Sequence, residues 1–324
     1  MRRSLICVAI AVAHCAGGVA GAADGATIAA KVGPDTVSLA EVALEMRTAL
    51  GDRKLADDER DVLQAQTLGL LVNRQLVIQY LQKFKLGATE LEIDQQIEQI
   101  VAQLKRRKQT LADHLQKLGI TQAEFRRDLK WKTGWSKYLE SKLTDENLAK
   151  YFKEHHRDFD GTKVRVAHLL LKVDKPNDPA AVQATIDRAG ELREQIIAKK
   201  LAFAVAAKEH SQAPTASDGG DIGLISRHEP MPEAFSEAAF ELKAGETSEP
   251  VLTAFGVHLI HCLAIEPGKL TLQDDGVADA LQQDLIRYLF MWVSEKQRAE
   301  SKIEFTGALP YFDPQTGKLA KAKD

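Results

Sequence analysis

The sequence predicts an α+β protein in which a β-containing unit is inserted in an all-α domain made from both ends of the chain. Three observations carry this. Apolar residues recur at helical spacing from Ser38 to the Asp160-Gly161 break. The period then turns strand-like from Val164, and beyond Pro267-Gly268 a long apolar-striped helix has no sequence neighbour to bury it. The boundaries that follow are helices over 23–160, the β-containing unit over 161–267, the returning helix over 268–312, and a polar tail over 313–324.

The elements follow in order. Ile28 to Val37 reads as extended, broken by Gly33-Pro34. Three helix starts then carry a Ser/Thr-x-x-Glu capping box: Ser38 with Glu41, Thr89 with Glu92, and Thr121 with Glu124. In each the hydroxyl accepts a free N–H of the first turn and the carboxylate reaches back. Val72, Leu76, Tyr80 and Phe84 mark a helix between the first two boxes; Trp131, Trp135 and Tyr138 lie on the last. Val164 to Val173 reads as a strand, Asp178 to Lys199 and Phe203 to His210 as helices, and the Gly-, Ser- and Asp-rich stretch 211–223 as loop. Pro232 opens a helix to Leu242, and strands over 247–253 and 257–265 follow, joined by Ala254-Phe255-Gly256. The last helix stripes Val277, Leu281, Leu285, Tyr288 and Trp292, which predicts docking on the block 38–155. The lysine-rich tail from Asp313 is expected to fray.

Met1-Arg2-Arg3, an apolar run from Leu5 to Ala16, and Ala20-Gly21-Ala22 have the form of a secretory signal peptide over 1–22. Cleavage after Ala22 removes two arginines and no acid, so the formal charge goes from −3 to −5. The run is short for a membrane span, and His14 before Cys15 stands against a lipoprotein; an uncleaved anchor is the alternative. An exported, extracytoplasmic protein is the expectation, most simply periplasmic, with no integral membrane span once the signal is removed. Cys262 alone remains, so no intrachain disulfide is expected. With 43 basic against 46 acidic residues, the chain lacks the basic surplus that nucleic-acid binding needs.

The usual catalytic patterns are absent: no Walker loop, no Gly-x-Ser-x-Gly, no His-Glu-x-x-His. Gly219-Gly220-x-x-Gly223 follows a loop instead of a strand, which argues against a dinucleotide site. Adjacent His155 and His156 fall on different helix faces, so no metal and no cofactor is expected. The run Lys105-Arg106-Arg107-Lys108 reads as a solvated helix end.

One ordered set remains: Val164-Arg165-Val166-Ala167-His168, Phe203, Gly219-Gly220-Asp221-Ile222-Gly223, Met231 with Phe235, and Gly245-Glu246-x-Ser248-x-Pro250-Val251-x-Thr253-x-Phe255-Gly256-Val257-His258. Over residues 163–266 this resembles the parvulin (rotamase) family of peptidyl-prolyl cis–trans isomerases. Leu71-Val72-Asn73-Arg74-Gln75-Leu76-Val77 before a Thr-x-x-Glu helix is similar to the helical domain of exported parvulin chaperones, which holds unfolded clients. The resemblance implies a small antiparallel sheet wrapped by helices. It implies Ile222, Met231 and Phe235 as a proline slot, His168 and His258 as a bonded pair, Thr253 as the hydroxyl orienting them, and Phe255 at the groove mouth. The family's Cys or Asp after Ser211-Gln212 is replaced by Ala213, Ile225 stands where an aromatic is usual, and one residue is inserted around 228–230. Lys172-Val173-Asp174-Lys175 lacks an arginine cluster for phosphate. The expected function is prolyl isomerisation on unfolded or extended proline-containing polypeptide; the alternative is a non-catalytic chaperone using the same unit to bind peptide.

Overall fold

The computed structural model describes residues 28–324 except 52, 54, 176, 177, 229, 315, 316, 321, 323 and 324. The signal peptide expected at 1–22 lies outside the described residues.

Strands β1 (Ile28–Val32) and β2 (Asp35–Ser38) form a hairpin whose turn needs Gly33 at φ +56. Ser38 ends β2 and caps α1 (Leu39–Leu50), with Glu41 completing the box. Helices α2 (Asp57–Lys83), α3 (Glu90–Arg106), α4 (Leu111–Leu118), α5 (Gln122–Lys142) and α6 (Asp145–Phe159) follow. The boxes expected at Thr89 and Thr121 form, and a fourth closes on Thr110 with Asp113, where the shorter acid hid it from the Glu pattern. Helix α2 is central: Leu68, Val72 and Leu76 pack on Ala30 and Val32, while Val77 and Leu81 pack on Trp135 and Tyr138.

The inserted unit comprises β3 (Lys163–Leu171), α7 (Pro179–Ile197), α8 (Phe203–His210), β4 (Asp221–Ile225), α9 (Glu233–Glu241), β5 (Val251–Thr253) and β6 (Gly256–Glu266). Its sheet has the order β4-β3-β6-β5 and every pair is antiparallel. Alternation along β3 buries both faces. Ala167, Leu169 and Leu171 lie under α7 and α8; Val164 and Val166 lie under α9. Strand β4 occupies part of the stretch expected to be loop, because its Asp and Gly residues carry no strand signature and only Ile225 is fully buried. The strand expected from Thr247 starts at Val251 instead. Thr247 makes a lone bridge to His261, and Pro250 then interrupts with no N–H to give.

The chain returns through a narrow neck, where Gly268 N–H donates to Thr162 Oγ1 at 2.9 Å and Leu270 N–H to the Asp160 carbonyl at 2.9 Å. Helix α10 (Val277–Arg298) then lies across α2 and α6. Val277, Leu281 and Leu285 face inward as expected, but the stripe continues through Leu289 and Val293 and leaves Tyr288 50% exposed and Trp292 38%. An i,i+4 ladder turns by about 40° per step, so the buried line meets α6 first and then α2 and α5.

Strands β7 (Ile303–Phe305), β8 (Tyr311–Phe312) and β9 (Leu319–Ala320) finish the chain. Two further expectations are corrected here. The outer domain is not all helix, because β7 pairs with β1 in a sheet of order β2-β1-β7. The tail from 313 folds back, placing β9 against β8, with Asp313 N–H bonded to the Lys318 carbonyl. A three-residue strand is too short to show a period, and each finds its partner far away or across a polar turn.

Candidate active site

In the β3–β6 register His168 stands opposite Ile260 and His258 opposite Leu170, so the two imidazoles are diagonal neighbours on one face. Their Nδ1 atoms are 3.3 Å apart and the rings stack, centroids 5.5 Å apart with 16° between planes. On β5, Thr253 Oγ1 lies 2.8 Å from His258 Nε2. Phe235 of α9 meets both rings edge-on, at 5.7 Å from His168 and 5.3 Å from His258. This assembles the expected pair, its hydroxyl and one aromatic.

Thr253 Oγ1 accepts the Phe255 N–H at 3.1 Å. Two proton orders satisfy the remaining contacts. In one, Thr253 donates to His258 Nε2 and His258 Nδ1–H donates to His168 Nδ1. In the other, His258 Nε2–H donates to Thr253, whose hydroxyl turns to the Gly256 carbonyl at 3.4 Å, and His168 Nδ1–H donates to His258 Nδ1. In both, His168 Nε2 has no hydrogen-bond partner among the described residues. Burial lowers the pKa of both rings, and for His258, with His168 beside it, down to about 4. Both are neutral at pH 7.

Two glycines let the backbone close around this pair. Gly220, at φ +82, accepts the His168 N–H at 2.8 Å, and a Cβ there would stand 2.2 Å from the His168 carbonyl oxygen. Gly256, at φ +135, would put a Cβ 2.4 Å from the Leu171 carbonyl oxygen. Any side chain at either position would push strand from strand.

Residues 211–213 extend the sheet edge beyond β4. Gln212 N–H donates to the Leu170 carbonyl at 2.8 Å, and Ser211 Oγ accepts from Leu170 N–H at 3.1 Å and Ala213 N–H at 3.2 Å. Ala213 is thereby held beside β3, two strand positions from His168, and is buried. Ile222 and Met231 are half-buried against the cluster containing Phe235, whereas Phe235 itself has no exposed surface and forms floor instead of wall. Phe255, 65% exposed, tops the β5–β6 turn.

Arg227 escaped the sequence reading. It is buried between Asp158 of α6, at 3.4 Å, and Glu233 of α9, at 2.8 Å, and no local pattern links residues that distant. The Cys262 thiol is wholly buried, and burial pushes its pKa up, so it is no nucleophile. Among the described residues no three His, Cys, Asp or Glu side chains converge to hold a metal ion. A cleft of about 960 Å³ lies between the ends of α7 and α9, lined by Ile196, Phe203, Leu242 and His261, and includes none of the histidine pair. What the site offers chemically is an apolar floor and two neutral imidazoles, with His168 Nε2 unpartnered among the described residues.

Comparison with known proteins gives two family matches: residues 168–264 to the PPIC-type PPIASE domain and residues 3–139 to the SurA-like N-terminal domain. Among curated relatives, Foldase protein PrsA of Clostridium acetobutylicum is 28% identical over 61% of this chain and 59% of its own length. Foldase protein PrsA of Bacillus subtilis is 37% identical over 37% of this chain and 35% of its own. The chain thus spans about a third to three fifths of these relatives. A crystal structure of peptidylprolyl isomerase (PrsA) from Bacillus cereus is 18% identical, covering 88% of this chain and 93% of that one, with a TM-score of 0.32.

Proposed function

We propose that this protein, a PPIC-type PPIase domain carried on SurA-like helices, accelerates cis–trans exchange of X–Pro bonds in unfolded or extended polypeptides outside the cytoplasm. The leader-like residues 1–22 favour export, and periplasmic work in a cell with that compartment. One observation carries the reading: two neutral, buried histidines locked by Thr253 and floored by Phe235.

The chemistry fits such a site. Rotation about the X–Pro bond faces about 20 kcal/mol of lost amide resonance. Resonance separates charge, so a dry, apolar groove disfavours the planar amide more than the twisted one. Ile222 and Met231 supply apolar wall for the pyrrolidine ring. The unpartnered His168 Nε2 can face the carbonyl or nitrogen as conjugation is lost.

The rival reading, peptide binding without turnover, has an observation of its own. Ala213 puts a methyl where the resembling family has a thiol or carboxylate. The helical domain also presents an apolar ledge suited to holding chains: Tyr80 lies 4.6 Å from Phe84 and 6.1 Å from Trp292 between ring centroids, with Met291 and Phe84 about half exposed. Isomerisation of a proline tetrapeptide, followed beside suppression of client aggregation, separates the two. Turnover abolished by Met231→Ala supports the enzyme; aggregation suppression with no turnover at any concentration overturns it.

A further inference from the structure

Helix α6 belongs to the outer domain, yet its last turn reaches into the inserted unit. A kink at His155 (φ −119, ψ 23) re-aims residues 156–159. Arg157 Nη1 then donates to the carbonyl of Leu242, the C-cap of α9, at 3.0 Å. Asp158 pairs with Arg227, whose Nη2 donates to Glu233, the first residue of α9. The Phe159 ring lies 6.0 Å from His228, in the loop carrying the inserted residue. One turn of one helix therefore touches one end of another directly and reaches its other end through Arg227.

The geometry points to Arg157, Asp158 and Arg227 as positioning residues: the end of α6 grips α9 at both ends and fixes where Phe235 and Met231 stand against the histidine pair. This rests on the isomerase reading for its functional consequence, though not for its structural one. Charge placement agrees with the grip. A cation at the C-terminal carbonyl and a carboxylate in the first turn each complement the helix dipole.

Stability alone does not account for these arginines. Arg227 is 9% exposed, and its Nε and Nη1 have no hydrogen-bond partner among the described residues, so Asp158 holds it as an ion pair alone; Nε and Nη2 of Arg157 are likewise unpartnered. Buried and incompletely satisfied guanidinium groups are costly, and well-packed apolar replacements often match them in stability. What an apolar side chain does not supply is a directional hold on a helix end. Helix α9 buries Phe235, Ala239 and Phe240 against Val164, Val166 and Ile260, a non-directional apolar face. Phe235 meets both imidazoles edge-on, so a hold at the helix ends sets where that ring stands.

The test uses the full chain with Arg227→Met, Arg227→Lys, Asp158→Asn and Asp158→Asn/Arg227→Met. Ring-proton NMR signals of His168 and His258 report the position of Phe235 through its ring current, and a proline tetrapeptide reports turnover. Arg227→Met and Asp158→Asn are expected to move both histidine signals and to lower kcat/KM roughly tenfold, the scale of a slightly misplaced site. The double variant should fall no further than the worse single one. Arg227→Lys, which keeps the charge and loses the fork, should recover part of the activity. Arg126→Gln, removing an exposed α3–α5 ion pair, should change neither readout. Folded variants with unmoved ring signals overturn the grip. Moved signals with unchanged turnover confine it to structure and remove its functional part. A wild-type protein that does not isomerise sinks the isomerase reading, while the ring signals still decide the grip. Should Arg227→Met not fold, Arg227→Lys and Asp158→Asn give the same discrimination.

Discussion

Burial holds the His258 pKa at about 4 and lowers that of His168, whereas both rings titrate near 6.5 once unfolded. Between those values the unfolded chain binds protons that the native pair refuses. Stability is therefore complete above about pH 6.5 and declines as pH falls toward 4, by about 3 kcal/mol for His258 at 1.36 kcal/mol per unit. Below that the contribution flattens. Urea midpoints taken from pH 7 to 4 should show the decline, and His258→Asn should flatten it; equal slopes would contradict the assignment. At Ala213 the missing polar contact is worth about 1–3 kcal/mol, or roughly five- to a hundredfold in rate. Ala213→Asp should accordingly raise kcat/KM on a proline tetrapeptide in a correctly folded protein. No gain would mean that the group at this position does not act on the twisted amide. Both predictions concern residues legible in the sequence. His168, His258 and Thr253 flank strands in an ordered motif set, so their meeting could be expected. Phe235, which the resemblance implied as part of a proline slot, stands against both histidines with no exposed surface. Arg227 was invisible, since a buried arginine is recognised by partners that only the fold assembles.

Elements were legible in proportion to their length and local chemistry. The capping boxes at Ser38, Thr89 and Thr121 each combine two hydrogen bonds within four residues, which sequence displays directly. Strands β4 and β7 owe their existence to partners, Val164 and Val166 for one and Ala30 and Val32 for the other, and carry little signal themselves. Helix α10 lies between these cases. Its presence was plain, but large aromatic rings at 288 and 292 outweighed the smaller Leu289 and Val293 that the neighbouring helices bury. Leu281 measures how much that docking matters. It has no exposed surface and packs with Tyr151 and Phe159 of α6, so Leu281→Ala should cost about 2–5 kcal/mol of stability. Tyr288→Ala, half exposed, should cost much less. Chemical denaturation of the two variants would reverse the picture if their losses were equal.

The whole molecule is one chain passing twice through a neck. Because Thr162 and Gly268 are hydrogen-bonded there, the inserted unit begins and ends at almost one point. A protein in which residues 163–266 are replaced by a short glycine-serine link should therefore keep the far-ultraviolet signature of its helices and a cooperative melt. Loss of that melt would show that the outer domain depends on the unit it encloses. The pairing of β1 with β7, and of α2 with α10, has a temporal consequence. A ribosome delivers residue 28 long before residue 303. The four-stranded sheet can close once Glu266 has emerged, while Val77 and Leu81 wait for the last helix with part of their apolar faces uncovered. A scaffold built this way stays incomplete for part of its synthesis, and nascent chains halted before α10 should be cut by protease in α2 but not in β3.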